Sequence, residues 1–183
     1  MCSNYEFPSK SQLSLLDLHA EQLELNMKSH VYPLAPAPIM MRGAEGFELD
    51  IARFGLIPFW AKELKYGRHT YNARTETIAS KPSFRHAWKN NQVALVPVDT
   101  FYEPKYIDGK PHWFGISRED GNPFTVAAIY DDVLIEGEKI RSFSMLTINS
   151  DQHLLMKQFH HPDDKKRSII VIPEESRHDW LCC

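Results

Sequence analysis

The chain has 183 residues, of which 43% are hydrophobic and 25% are charged, a balance that excludes disordered and fibrous proteins. We expect one domain over residues 1–183, with its core at about 2–181. The sequence lacks a run of about 18 to 20 apolar residues, and its N-terminus lacks a basic start followed by an apolar stretch. It therefore predicts no contact with a membrane and a cytoplasmic location in a bacterium or phage-infected cell, or a nuclear one in a eukaryote.

The cysteines lie at the two ends of the chain, as Cys2, Cys182 and Cys183. Cysteines so placed cannot form a disulfide framework or a four-ligand zinc site, and the histidines lack metal-ligand spacing. We therefore expect no metal and no cofactor. The Cys182-Cys183 pair could be a lipidation signal, but no polybasic run precedes it, so a frayed tail is the better interpretation. Cys2 is different, because a small residue at position 2 usually allows removal of Met1, which leaves an α-amine and a thiol on one residue.

The predicted elements begin with a helix within residues 9–27, where leucines recur at helical spacing after a cap at Ser9 or Ser11. Residues 31–41 contain three prolines and predict an extended loop and an edge strand. The strands predicted after that are 49–57, 92–96, 100–104, 112–117, 124–130, 140–148 and 168–172. Short helices are predicted at 81–90, 151–158 and 173–181. This order predicts an α+β fold, a single domain with a curved, mostly antiparallel sheet or barrel and a few flanking helices.

Charge is distributed unevenly along the chain, although the net charge is only −3. Residues 62–89, called here the basic window, carry a net charge of +5, which leaves −8 for the remainder. Aromatic residues lie in or beside this window, namely Trp60, Tyr66, Tyr71, Phe84 and Trp88. Cations beside aromatic rings suit single-stranded nucleic acid, because phosphates attract cations and unpaired bases stack on rings. A solvated helix and loop with ordinary core aromatics would explain the pattern equally well.

Three polar features do not fit their surroundings. Glu103 ends an apolar segment, and a buried carboxylate needs a partner or a raised pKa, although a solvent-facing strand end or a structural ion pair is the simpler explanation. Residues 72–77, Asn-Ala-Arg-Thr-Glu-Thr, concentrate hydrogen-bonding side chains or form a helix-entry turn. His160 and His161 follow an apolar turn, where a histidine can transfer protons or simply lie at the surface.

Several segments occur in one order along the chain, namely Met1-Cys2, Gly55-Leu56-Ile57-Pro58-Phe59-Trp60-Ala61, Asn72-Ala73-Arg74-Thr75-Glu76-Thr77, Lys81-Pro82-Ser83-Phe84-Arg85, Val96-Pro97, Phe101-Tyr102-Glu103 and Phe159-His160. Taken together, they resemble the SRAP (SOS response-associated peptidase) family from Cys2 to Trp180. The resemblance implies a monomeric sensor of abasic sites in single-stranded DNA that links itself covalently to the damaged sugar, as part of the DNA damage (SOS) response.

The resemblance also implies the catalytic residues, which are Cys2, Asn72, Glu103 and His160. The α-amine of Cys2 would form an imine with the opened sugar aldehyde, and its thiol would then close a thiazolidine ring. Glu103 would protonate the sugar ring oxygen and accept protons from the amine, His160 would shuttle protons, and Asn72 would hold Cys2 or the sugar. With reference pKa values of about 8 for the amine and about 8.5 for the thiol, we expect both to be partly available near neutral pH.

The expected DNA contacts are Arg74, Lys81 and Arg85 on phosphates, with Trp60 and Pro36 shaping the channel or supporting it by packing. Arg167 would stand in for a family arginine in the segment 160–168, which is longer here than is usual in the family. His160 is favoured over His161 as the family histidine. Ser3 and Asn4 replace the Gly-Arg that commonly follows the family cysteine.

Two other functions remain open at this point. One is cysteine peptidase or amide hydrolase activity with Cys2 as an N-terminal nucleophile, acting on Met1 or on the DNA adduct. The other is noncovalent binding of single-stranded DNA by an accessory protein in which Cys2 is inert. An imine at Cys2 would also permit strand cleavage by β-elimination, which is a lyase activity.

Overall fold

The structure is a computed structural model that describes residues 2–16, 28–43 and 46–182. Its strands are β1 (Tyr5–Glu6), β2 (His30–Val31), β3 (Pro36–Gly43), β4 (Gly46–Phe54), β5 (Asn72–Arg74), β6 (Val93–Val98), β7 (Thr100–Ile107), β8 (Lys110–Ile116), β9 (Phe124–Ile135), β10 (Glu138–Asn149), β11 (Arg167–Ile169) and β12 (Val171–Ile172). Each strand predicted from residue 49 onward is present, with shifted ends.

The larger sheet closes into a barrel. Strands β10, β4, β3, β6 and β9 pair in that order, and β9 pairs again with β10, so the ring has no free edge. The β4–β10 pairing is parallel and the other pairings in the ring are antiparallel. Strands β5 and β11 extend β10, and β12 extends β9. The predicted single-domain α+β fold with a curved, mostly antiparallel barrel is thereby confirmed.

Apolar side chains fill the barrel because its strands present hydrophobic residues to the interior. Phe54 and Phe143 stack inside it with ring centroids 5.3 Å apart, and both are fully buried. Strand β6 is apolar on both faces, since its outer side is covered by the C-terminal helix, where the Trp180 indole donates to the carbonyl of Ala94 over 2.9 Å.

A smaller sheet with the order β2-β1-β7-β8 positions the N-terminus. Its first strand is only two residues long, but it is paired on both sides, with β2 and with β7. The start of the chain is therefore fixed against β7, whose long strand runs on to Glu103 and beyond.

Helices are short and lie outside the barrel, as α1 (Lys10–Leu13), α2 (Arg85–Lys89) and α3 (Arg177–Leu181), with 3₁₀ turns at Ser14–Leu16, Leu64–His69, Met156–Gln158 and Glu174–Ser176. The predicted cap at Ser9 is confirmed, because Ser9 and Gln12 form a reciprocal capping box. Within the range 9–27 predicted as a helix, α1 ends at Leu13, and residues 17–27 lie outside the described residues. In the described part of the chain, no helix combines the length and the apolar character needed to cross a membrane.

Two predicted elements are wrong. Residues 151–158 form only the 3₁₀ turn at Met156–Gln158, because the His153 ring nitrogen accepts the backbone N–H groups of Leu155 and Met156. Strand β3 is a central strand and not the edge strand expected for 31–41. Strand β3 tolerates Pro36 and Pro38 because it pairs with β6 at Met40, which comes after both prolines.

The loop that enters the basic window is held close to the barrel by two glycines. Gly55 has φ +120°, and a Cβ there would overlap the Gly67 carbonyl. Leu56 and Thr70 close the same loop, since the Leu56 amide donates to the Thr70 carbonyl and the Thr70 hydroxyl donates back to the Leu56 carbonyl. This contact places Tyr71 and Asn72 directly after the loop.

Candidate active site

The N-terminal cysteine is positioned by the pairing of β1 with β7. Tyr5 is in register with Phe101, and the Tyr102 amide donates to the Asn4 carbonyl over 3.2 Å. Continuation of this antiparallel register brings the start of the chain alongside Glu103. Cys2 is 1% exposed, and its Sγ donates to the carbonyl of Asn4 at 3.5 Å.

Glu103 is buried and is partnered by His160. Because side chains alternate along β7, Glu103 shares the inward face with Phe101 and is 1% exposed, so the solvent-facing alternative is wrong. Its Oε2 lies 2.8 Å from Nε2 of His160, which is also buried. The sequence placed these two residues 57 positions apart, and the fold makes them a hydrogen-bonded pair.

The backbone at His160 is bent to reach this position. Its amide donates to the Pro104 carbonyl over 2.6 Å, next to an isolated bridge with Lys105, and its φ is +67°. A left-handed conformation is uncommon in residues other than glycine and concentrates at functional sites. His161 is exposed, with its ring 4.9 Å from that of Tyr106. The preference for His160 over His161 as the family histidine stays a prediction, which this difference in burial favours.

The ionisation of Cys2 differs from the expectation. Burial, followed by the nearby Glu103 carboxylate, raises the pKa of the Cys2 thiol far above its ordinary value. Burial therefore opposes the predicted partial ionisation near neutral pH. A raised pKa favours the protonated thiol, and a base must remove its proton before the sulfur can act as a nucleophile.

Two tyrosines, which the sequence did not single out as site residues, adjoin this cluster. The pKa of Tyr71 is raised by burial and by the charges of Cys2 and Glu103, and the pKa of Tyr5 is raised by burial and by Cys2. Both rings pack edge-on against Phe54, at 5.8 Å and 5.4 Å between centroids. Tyr5 could have been found from the sequence by its position three residues after Cys2, because a strand at Tyr5 pairs with the same neighbouring strand that lies beside Cys2.

Asn72 lies at the start of β5, next to Tyr71. Its Nδ2 donates to the Tyr71 carbonyl over 2.8 Å, and its Oδ1 is buried without a hydrogen-bond partner. Nδ1 of His160 is likewise buried without a partner. Among the described residues, the structure records no hydrogen bond from Asn72 to Cys2, Glu103 or His160. An open acceptor and an open ring nitrogen are groups that a bound sugar or phosphate could engage.

The predicted DNA-binding residues divide into two groups. Exposed side chains form the larger group, which consists of Pro36, Trp60, Arg74, Lys81 and Arg85. Arg167 is different, since its buried guanidinium donates to both carboxylate oxygens of Glu76 at 2.8 and 2.9 Å and to the carbonyl of Thr147. The pKa of Glu76 is lowered to about 2 by this hydrogen bonding. Contact of any of these six residues with DNA stays a prediction.

A cavity of about 560 Å³ opens within the basic window. Its walls are aromatic and largely cationic, formed by Trp60, Ala61, Lys62, Glu63, Lys65, Tyr66, Arg68 and His69. The rings of Trp60 and Tyr66 meet edge-on at 5.2 Å, and Trp60 is 45% exposed. This surface combines the cations and the ring faces that the composition of the window predicted. In the residues that the structure describes, no group of three or more His, Cys, Asp or Glu could hold a metal ion.

The fold and site thus define a class of protein, a closed β-barrel with a buried N-terminal cysteine beside a glutamate–histidine pair. The family model described as SOS response associated peptidase (SRAP) matches residues 1–183, and the chain belongs to that family.

Relatives and a solved structure agree with this assignment. The abasic site processing protein YobE of Bacillus subtilis is 28% identical, and the match covers 99% of this chain and 82% of YobE. The abasic site processing protein YedK of Escherichia coli is 26% identical, with 99% and 79% covered. A crystal structure of a protein from Bordetella bronchiseptica superposes with a TM-score of 0.89 at 29% identity, over 98% of this chain and 88% of that chain.

Proposed function

We propose that the protein processes abasic sites in single-stranded DNA by forming a covalent thiazolidine with Cys2. The observation that carries the proposal is the burial of Cys2 beside the hydrogen-bonded Glu103–His160 pair, in a chain similar to proteins named for abasic site processing. Removal of Met1 supplies the α-amine that the chemistry requires.

The first step joins the amine to the sugar. Glu103 gives a proton to the ring oxygen of the abasic deoxyribose, the bond from that oxygen to C1′ breaks, and the C1′ hydroxyl releases its proton to solvent as the aldehyde forms. The amine nitrogen of Cys2 attacks C1′, the carbonyl oxygen becomes a hydroxyl, and loss of that hydroxyl as water leaves an iminium ion. His160, bonded to Glu103 through Nε2, is placed to relay the protons that this sequence moves.

The second step closes the ring. The thiol proton passes to the Glu103–His160 pair, the sulfur attacks C1′, and the C=N electrons return to nitrogen. The overall change is one aldehyde plus one aminothiol giving a thiazolidine and one water. Because the pKa of the Cys2 thiol is raised, removal of its proton is the step that most needs the base.

Exposed groups of the basic window support the choice of DNA as substrate. Arg74, Lys81 and Arg85 are exposed cations in the basic window, and Trp60 offers a ring beside its cavity. Such surfaces hold single strands through phosphates and stacked bases. Pro36 and Arg167 are assigned to the channel by family resemblance, with Arg167 acting through its pair with Glu76.

The test is crosslinking of Met-free protein to an oligonucleotide in which uracil has been excised by a glycosylase. We expect a heat-stable shifted band for the wild-type protein and no such band for Cys2→Ala, because alanine has no thiol to close the ring. The remaining α-amine of Cys2→Ala still gives an imine that borohydride traps. Intact-mass measurement confirms that Met1 is absent from each sample.

Two results would contradict the proposal. Release of peptide products by Met-free protein, with no DNA adduct, would indicate an N-terminal-nucleophile hydrolase instead. Salt-sensitive binding to intact single strands, without a covalent product on abasic DNA, would indicate a noncovalent accessory protein.

A further inference from the structure

Asp131 on β9 is a buried carboxylate that takes no part in the proposed chemistry. It is only 2% exposed. The barrel does not need its side chain, because strand β9 pairs with Ser142 of β10 through backbone groups at this position. A buried carboxylate costs free energy unless hydrogen-bond donors or a cation surround it. The role of Asp131 is therefore to be found in the groups that its carboxylate contacts.

The carboxylate joins two segments that lie outside the barrel. Its Oδ2 accepts the Phe59 amide over 3.2 Å and lies 3.4 Å from Nδ1 of His86 on α2, while its Oδ1 accepts the Asp132 amide over 2.9 Å. Nδ1 of His86 is not aligned for a hydrogen bond, so its contact with Oδ2 is an ion pair when the ring is protonated. The rings of Phe59 and His86 also contact each other, with centroids 4.3 Å apart. One buried group thus connects the turn at Phe59 to helix α2.

The two connected segments carry residues that are expected to contact DNA. Trp60 directly follows Phe59, and Arg85 directly precedes His86. Both Trp60 and Arg85 are exposed. A strand that stacks a base on a ring and places a phosphate on a cation requires the ring and the cation at a fixed spacing. The contacts of Asp131 hold the backbone on which that spacing depends.

A second contact links the cavity of the basic window to the same helix. The Tyr66 hydroxyl and the Ser83 hydroxyl share a hydrogen bond of 2.8 Å, and Ser83 lies two residues before α2. The Tyr66 ring in turn meets Trp60 edge-on at 5.2 Å. This hydrogen bond is only partly buried, so water competes for it, whereas the Asp131 carboxylate is shielded from water. Asp131 therefore provides the stronger constraint on the two segments.

We propose that Asp131 is a positioning residue that holds Trp60 and Arg85 at the spacing that a single strand of DNA requires. The inference rests on the proposed function, because it concerns how the DNA substrate is bound. Asp131 itself makes no contact with the strand, since its carboxylate is buried and would repel a phosphate. Loss of the carboxylate should therefore weaken binding of the strand without slowing the bond-forming steps at Cys2.

The experiment compares Asp131→Asn with the wild-type protein in Met-free form. It measures the affinity for intact single-stranded DNA and the crosslinking rate at saturating abasic DNA. We expect the affinity to fall about tenfold, the effect of losing one hydrogen bond to a charged group, while the rate at saturation is unchanged. In the same variant, hydrogen exchange of the Phe59 amide should become about tenfold faster, because its acceptor loses its charge.

The matched control is Asp132→Asn, one residue further along β9. The Asp132 carboxylate pairs with Arg141 on β10 instead, so its loss should leave the affinity and the exchange of the Phe59 amide at their wild-type values. Both variants lose one negative charge, which by itself favours binding of DNA. A weaker affinity in Asp131→Asn alone is therefore not an effect of net charge.

A second variant, His86→Ala, keeps the proposal testable if Asp131→Asn does not fold. It removes both the contact with Asp131 and the contact with the Phe59 ring, from a partly exposed helix position that suits alanine. We expect its affinity for intact single strands to fall about threefold, the effect of a partly exposed ion pair, with the rate at saturation unchanged.

The outcomes separate this assignment from the proposed function. Affinity of the folded variant equal to that of Asp132→Asn would overturn the assignment of Asp131, and so would an equal loss of affinity and of saturated rate, which indicates general support of the fold. If the wild-type protein forms no adduct and Asp131→Asn still binds intact strands more weakly, the covalent function fails and the assignment stands. A wild-type protein that does not bind single strands would overturn both.

Discussion

A buried thiol beside a carboxylate is a poor nucleophile until its proton is removed, and Cys2 is in that situation. Few residues can change the protonation of the Cys2 thiol. Glu103 and His160 share a hydrogen bond of 2.8 Å, and both are buried. At the scale of single residues, the proposed reaction therefore depends on this pair more than on the intrinsic acidity of the cysteine.

Replacement of Glu103 tests this dependence. We expect Glu103→Gln to slow crosslinking by about 10² to 10⁴-fold, the usual contribution of a general acid–base residue, while the affinity for intact single-stranded DNA is unchanged. Crosslinking rates and DNA affinity are measured in parallel. Glu119→Gln, on an exposed loop, is the matched control and should retain the wild-type rate. An equal loss of rate and affinity in Glu103→Gln would indicate that Glu103 only supports the fold.

At the scale of elements, the Glu76–Arg167 pair connects two segments of the site. Glu76 follows β5, which carries Asn72, and Arg167 begins β11, which follows the His160 segment. Arg167 is buried and Glu76 is half-exposed, so solvent weakens the attraction without removing the need of the guanidinium for a partner. The ion pair therefore stabilises the relative position of two candidate catalytic segments.

This pair gives the protein an acid-dependent contribution to stability. The pKa of Glu76 is lowered to about 2 in the folded state, against about 4.3 for an unperturbed glutamate. The contribution is therefore complete above about pH 4.3 and is lost as the pH falls towards 2. We expect Glu76→Gln to lower the melting temperature by a few degrees at pH 7, by an amount that shrinks progressively below about pH 4.

Thermal unfolding of both proteins between pH 7 and pH 3 measures this difference. Glu48→Gln, an exposed change on β4, is the control and should leave the melting temperature unchanged at each pH. A difference between Glu76→Gln and wild type that stays constant down to pH 3 would show that the carboxylate charge is not the cause.

At the scale of the whole molecule, the acidic net charge and the basic window act together. A net charge of −3 does not favour binding of polyanions over the whole surface, so the proposed binding of single strands depends on the cations of the basic window. Arg85 begins α2 and Lys81 lies in the turn before it, and both are exposed and near the cavity-bearing loop in sequence. Binding of single strands should therefore be local and sensitive to salt.

The salt dependence of affinity tests this distribution. Each phosphate contact on a single strand contributes about 0.7 to the slope of log affinity against log salt, so the double variant Lys81→Ala/Arg85→Ala should lower the slope by about 1.4. The control double variant Lys10→Ala/Lys110→Ala removes the same charge from exposed positions outside the window and should keep the wild-type slope. Equal reduction by both variants would show that only net charge matters.

Much of the architecture follows from the order of residues, because local patterns determine local structure. Alternating and continuous apolar runs predicted the strands of the barrel, and Ser9 predicted its cap, since both depend on neighbours within a few positions. The helix at 151–158 failed because the His153 side chain competes for backbone donors, a choice that propensity does not reveal. The sequence did not predict that β3 is central, because a proline lacks the N–H donor for only one neighbouring strand and leaves pairing with the other strand possible.

By itself, the sequence determined the family, the candidate residues and the unequal distribution of charge, which are properties of residue identity and order. Tertiary structure decided which of those residues meet, because Cys2, Glu103 and His160 are brought together only by strand pairing across the chain. It also decided the environment of the Cys2 thiol, since burial and neighbouring charge raise its pKa and have no counterpart in a linear sequence. The contacts of the Asp131 carboxylate belong to the same class of fact, because they exist only where the chain has folded around the group.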